Sequence, residues 1–133
     1  MEKAKRLQVG MPLDPKTEVG PVITPEAKER IESAIQSAVD EGATVVLDGR
    51  NPKISDQAGQ NGNFIAPTII TNVTTSMRCY TEEIFGPVLV CLNVETLDEA
   101  IELINRNPYG NGTALFTTSG PAARRFQTDI DVG

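Results

Sequence analysis

Apolar residues recur at helical spacing in three stretches of the chain, with short β-branched runs between them. Ala27, Ile31, Ala34, Ile35, Ala38 and Val39 fall on one stripe, the spacing of an amphipathic helix. Thr24-Pro25-Glu26 opens that helix with a capping hydroxyl, a proline at the first helical position and an acid in the first turn, and Gly42 closes it. Leu97, Ala100, Ile101 and Ile104 make a second stripe behind Thr96-Leu97-Asp98-Glu99. That tetrapeptide reads as a capping box, in which the Thr hydroxyl accepts from the Glu amide and the Glu carboxylate reaches back. The helix stops near Asn107-Pro108. Ala122, Ala123, Phe126 and Ile130 form a third stripe after Ser119-Gly120-Pro121. Residues 2–7 read as the end of a further helix, with Gly10 placed as its terminator.

Strands are expected at 43–47, ended by Asp48-Gly49, at 68–73, at 88–94 and at 113–117. The third is apolar enough to be buried on both faces. Residues 11–21, with three prolines and a glycine, and the polar stretch 50–63 read as loops, the latter exposed and open to insertions. Residues 74–81 fit a turn or a single helical turn, and Tyr109-Gly110-Asn111-Gly112 a turn. Helix, three strands, helix, strand, helix argues for an α/β fold with an at least partly parallel sheet. The first residues sit inside a helix and the last, Asp131-Val132-Gly133, approach a strand, so the expectation is a fragment of a longer fold.

The 133 residues, 39% of them hydrophobic and 23% charged, are enough for one packed core and argue against disorder. A net charge of −6 without a basic patch makes nucleic acid and anionic membranes unfavourable partners. No apolar stretch has the length to cross a bilayer, and the N-terminus lacks a signal-peptide core. Two cysteines, Cys79 and Cys91, are too few for a disulfide framework or zinc site, and the absence of histidine excludes a Ser-His or Cys-His pair within the chain. Chemistry here must rest on carboxylates, backbone groups or residues from elsewhere.

The richest stretch is Glu82-Glu83-Ile84-Phe85-Gly86-Pro87 before Val88-Leu89-Val90-Cys91-Leu92. Gly86 is expected to take the backbone angle of a corner and Pro87 to set φ before the strand. The hexapeptide resembles the signature of the aldehyde dehydrogenase superfamily. Asp14-Pro15, Val19-Gly20-Pro21-Val22-Ile23, Gly62-Asn63-Phe64-Ile65-Ala66-Pro67-Thr68, residues 96–100 and 109–117 resemble further landmarks of that family in the same order, covering essentially the whole chain. Around Cys79-Tyr80-Thr81, Pro108-Tyr109-Gly110-Asn111-Gly112-Thr113-Ala114 and Asp129-Ile130-Asp131-Val132-Gly133 the chain is most similar to the CoA-acylating methylmalonate-semialdehyde dehydrogenases.

The resemblance implies that residues 1–133 are part of a catalytic domain built on an open, mostly parallel sheet flanked by helices. The nucleophilic cysteine and the NAD-binding domain would lie upstream. It implies NAD as cofactor, coenzyme A as co-substrate, a small semialdehyde as substrate and a homo-oligomer, tetramer or dimer. The reaction implied takes methylmalonate semialdehyde to propionyl-CoA and malonate semialdehyde to acetyl-CoA in valine and thymine breakdown. The compartment implied is the mitochondrial matrix, or the cytoplasm in a bacterium. A hydrolytic NAD(P)-dependent aldehyde dehydrogenase and a catalytically empty binding remnant are the alternatives.

Glu83 matches the family's glutamate that binds the nicotinamide ribose, a carboxylate offering two acceptors to two vicinal hydroxyls. Phe85 matches the aromatic at the nicotinamide end of the cofactor, with a core position as the alternative. Glu82 has no matched role, and no residue of the chain matches a catalytic group or a metal ligand. Cys91 reads as a small core hydrophobe and Cys79 as structural. Arg124 and Arg125 are expected to face solvent rather than a coenzyme A phosphate.

Overall fold

The computed structural model describes residues 1–54 and 62–132; the middle of the predicted loop 50–63 and the terminal Gly133 lie outside them. Two compact units make up the chain, Met1–Leu92 and Asn93–Gly133. The fold class is the expected α/β arrangement.

In the first unit, α1 (Glu2–Arg6) precedes a loop and the long α2 (Pro25–Asp40). The Thr24 hydroxyl accepts from the Ala27 amide at 3.1 Å, and Gly42 ends the helix with φ +97°. Ile31, Ala34, Ile35 and Ala38 are buried as the stripe predicts, whereas Val39 turns to solvent. Gly10 does not terminate α1. Its amide instead donates to the Val19 carbonyl, closing the proline-rich loop through the Val9–Val19 bridge.

Strands β1 (Thr44–Leu47), β2 (Thr68–Thr71) and β3 (Val88–Val90) form one sheet in the order β1-β2-β3. The β1–β2 pair is antiparallel and the β2–β3 pair parallel, so the sheet is mixed. The connections explain this: a parallel return needs a crossover, and residues 72–87 supply one containing α3 (Arg78–Thr81). Asn72, with φ +57°, makes the bend out of β2, a conformation asparagine tolerates. Strand β3 is shorter than predicted and is not buried on both faces. It lies at one edge of the sheet, and Leu89 is exposed between half-buried Val88 and Val90. The core joins α2 to the sheet through Ile31, Ile35, Ile65, Ile70, Met77 and Cys79.

The second unit contains α4 (Leu97–Arg106) and α5 (Gly120–Asp129). The Thr96 hydroxyl accepts from the Glu99 amide at 3.2 Å. The Glu99 carboxylate reaches back one residue further than the capping box predicts, to the Glu95 amide at 2.8 Å. Ile101 and Phe126 are buried, and Arg125 links the helices, bonding Asp98 at 2.6 Å and Asp129 at 3.2 Å. The expected strand at 113–117 does not form among the described residues. β-branched and apolar side chains favour extended backbone, but a strand needs a neighbour's ladder, and this unit offers only helices. Phe116 is accordingly 95% exposed.

Candidate functional site

The hexapeptide 82–87 forms the corner between α3 and β3. Its backbone is set by local chemistry at one end and by α2 at the other. The Glu82 amide donates to the Arg78 carbonyl at 3.0 Å, ending α3, and the Glu82 carboxylate accepts from Arg78 Nε at 2.7 Å. Arg78 is itself a hub. Its Nη1 donates to Ser33 Oγ at 3.1 Å, and its amide donates to the Glu41 carboxylate at 3.0 Å. At the far end Pro87 sits inside a tight turn closed by the Val88 amide and the Gly86 carbonyl at 2.7 Å.

Glu83 and Phe85, the two residues predicted for cofactor binding, are both exposed on this corner. The Glu83 carboxylate is exposed and has no hydrogen-bond or ion-pair partner among the described residues, so both oxygens are open acceptors. Phe85 is 76% exposed. Its φ is +49°, a left-handed conformation that is a genuine outlier for a bulky side chain and costs on the order of 1–3 kcal/mol.

Gly86 does not have the role predicted for it. The left-handed residue of the corner is Phe85, and Gly86 is required for space. A Cβ there would stand 2.7 Å from Ile31 Cδ1 and 3.0 Å from Ile31 Cγ1. Ile31 is fully buried on α2, so the corner rests its bare backbone on the core.

Arg30, the neighbour of Ile31, escaped the sequence reading altogether. Its Nη1 donates to the carbonyl oxygens of Glu83, at 3.5 Å, and of Ile84. Only its position next to a core residue of α2 hinted at more than a solvated charge.

The titratable groups elsewhere have structural explanations. Burial pushes the Cys79 thiol up, with the negative charge of Glu41 adding to it, which disfavours the reactive thiolate. Cys79 is therefore the core cysteine, while Cys91 is half-buried beyond β3, its amide donating to the Ile70 carbonyl at 2.8 Å. The Arg50 guanidinium hydrogen-bonded to Asp48 holds that carboxyl below its usual range. Arg125 is matched by two carboxylates, as expected of a surface charge. Among the described residues no cluster of three His, Cys, Asp or Glu side chains is placed to hold a metal, and no helix is long and apolar enough to cross a membrane.

The aldehyde dehydrogenase family profile matches residues 1–133. The human mitochondrial enzyme named methylmalonate-semialdehyde/malonate-semialdehyde dehydrogenase, acylating, is 56% identical over 133 residues, covering 100% of this chain and 24% of the relative. The crystal structure of methylmalonate-semialdehyde dehydrogenase from Oceanimonas doudoroffii superposes with a TM-score of 0.94 at 45% identity, covering 99% of this chain and 27% of that one. A Sinorhizobium meliloti structure complexed with NAD superposes with a TM-score of 0.93 at 41% identity, covering 99% and 26%. The chain thus spans about a quarter of the length of the curated relatives it matches.

Proposed function

This chain belongs to the aldehyde dehydrogenase family, and from that premise we propose that it serves an NAD-dependent, CoA-acylating oxidation of methylmalonate semialdehyde and malonate semialdehyde. The products are propionyl-CoA and acetyl-CoA. Residues 1–133 are part of the catalytic domain, with the nucleophilic cysteine and the NAD-binding domain in preceding sequence. The names of the relatives and the NAD bound in one of them support the reaction and the cofactor. The relatives named mitochondrial support a mitochondrial compartment; we further propose the matrix, a place in the breakdown of valine and thymine, and a tetramer or dimer as the assembly.

The observation that carries the reading is the corner itself. Glu83 offers two unpaired carboxylate acceptors, the complement of a ribose diol, and Phe85 on the same corner offers an exposed flat ring. NAD supplies the hydride acceptor when bound. What this chain supplies is its placement: Glu83 anchors the nicotinamide ribose, and the Phe85 ring restricts the nicotinamide and shields it from water.

The test is the equilibrium dissociation constant for NAD in the full-length enzyme. Charge-assisted hydrogen bonds are worth roughly 1.5–3 kcal/mol, so Glu83→Gln is expected to weaken NAD binding about tenfold or more. Binding within twofold of the wild type would remove Glu83 from the cofactor site.

A further inference from the structure

We propose that Arg30 is the positioning residue for the cofactor-binding corner, acting through the backbone of Glu83 and Ile84 rather than by touching the cofactor. This rests on the reading of Glu83 given above. In extended chain, successive carbonyl oxygens point to opposite sides. Here two successive carbonyls converge on one guanidinium nitrogen, so the chain bends at Ile84, immediately before the left-handed Phe85. A strained conformation persists only where its surroundings over-determine it. Arg30 supplies the charge-assisted donor on one side of the bend, and Ile31, the next residue of the same helix, supplies the surface on which Gly86 rests. Two adjacent residues of α2 thus hold both flanks of Phe85.

The guanidinium suits this task. It is always charged, and its planar fork keeps several donors in fixed directions. No other cation among the described residues donates to these two carbonyls. Arg78, the cation at the start of α3, is engaged by Glu82, Ser33 and its own amide's bond to Glu41. Without Arg30 the backbone that carries Glu83 loses its fixed bend, and NAD must then order the corner on binding.

The experiment is a double-mutant cycle on NAD affinity, measured calorimetrically in the full-length enzyme with Arg30→Met, Glu83→Gln, their combination, and Arg30→Lys. Arg30→Met preserves the apolar stem and removes the donors. It is expected to raise the dissociation constant roughly three- to tenfold, and Arg30→Lys, with a single ammonium, to fall between it and the wild type. In the Glu83→Gln background, Arg30→Met is expected to add less than twofold, because the group it positions is already gone.

Unchanged affinity in Arg30→Met beside weakened affinity in Glu83→Gln overturns the positioning role and leaves Glu83 in place. Independent, multiplying effects in the double variant also overturn it, since Arg30 would then act elsewhere. Unchanged affinity in Glu83→Gln overturns the Glu83 reading, and the positioning role falls with it.

Discussion

The close approach of Gly86 to Ile31 makes a quantitative prediction about the corner. In Gly86→Ala the new methyl would sit 2.7 Å from Ile31 Cδ1, about 0.8 Å inside the optimal carbon–carbon separation. Its distances to Cγ1 and Cγ2 would be 3.0 and 3.1 Å, so the whole branched side chain is in the way rather than one tip. Ile31 has no exposed surface and packs in the core with Ile35, Ile65 and Ile70, which leaves it nowhere to retreat. Overpacking of this kind costs about 1–3 kcal/mol. For a unit the size of Met1–Leu92, each kcal/mol lowers the melting temperature by about 4–8 °C. Thermal unfolding followed by circular dichroism reads this directly. The sharper check is Ile31→Val, which deletes Cδ1. Alone it costs about 0.5–1.5 kcal/mol; in the Gly86→Ala background it removes the nearest of the three contacts and should cost close to nothing, a favourable coupling of about 1 kcal/mol. A Gly86→Ala protein that melts with the wild type, or an Ile31→Val effect that simply adds, would refute the claim that this glycine is required for space.

Two further outcomes follow from the core. Thr68 is 1% exposed and its hydroxyl accepts from the Gly49 amide at 2.9 Å. Thr68→Val should therefore strand a buried N–H and cost about 1–3 kcal/mol, seen as a lower urea midpoint at an unchanged slope. Iodoacetamide should label Cys91 well before Cys79 in the native protein, as peptide mass spectrometry would show. Because burial raises the Cys79 pKa above that of a free thiol, about 9, the unfolded chain gives up this proton first. The thiol's contribution to stability is thus whole below that value and is lost as pH rises above it. Wild type should lose more stability than Cys79→Ala between about pH 8 and about pH 10, and equal losses would contradict the assignment.

Much of this molecule was determined by the sequence on its own, because the forces concerned act over a few residues. Thr24, Thr96 and Ser119 cap the helices they precede, since an N-cap hydroxyl needs only the amide three positions on. The apolar stripe of α2 selected its buried face through helical geometry alone, and the runs at 44–47 and 68–71 are strands. The family, and Glu83 and Phe85 as candidates, were legible in one hexapeptide. What tertiary structure decided depends on partners distant in sequence. Whether 113–117 pairs depends on a neighbouring strand, and whether β3 is an edge or a centre depends on sheet order. Which cysteine is buried depends on what α3 packs against. At the corner, the strained residue is Phe85 rather than Gly86, and the reason lies on α2: Ile31 occupies the space beside Gly86, and Arg30 holds two carbonyls 53 and 54 positions away. Periodicity and capping carry no information across that distance, and only the packed chain brings those groups into contact.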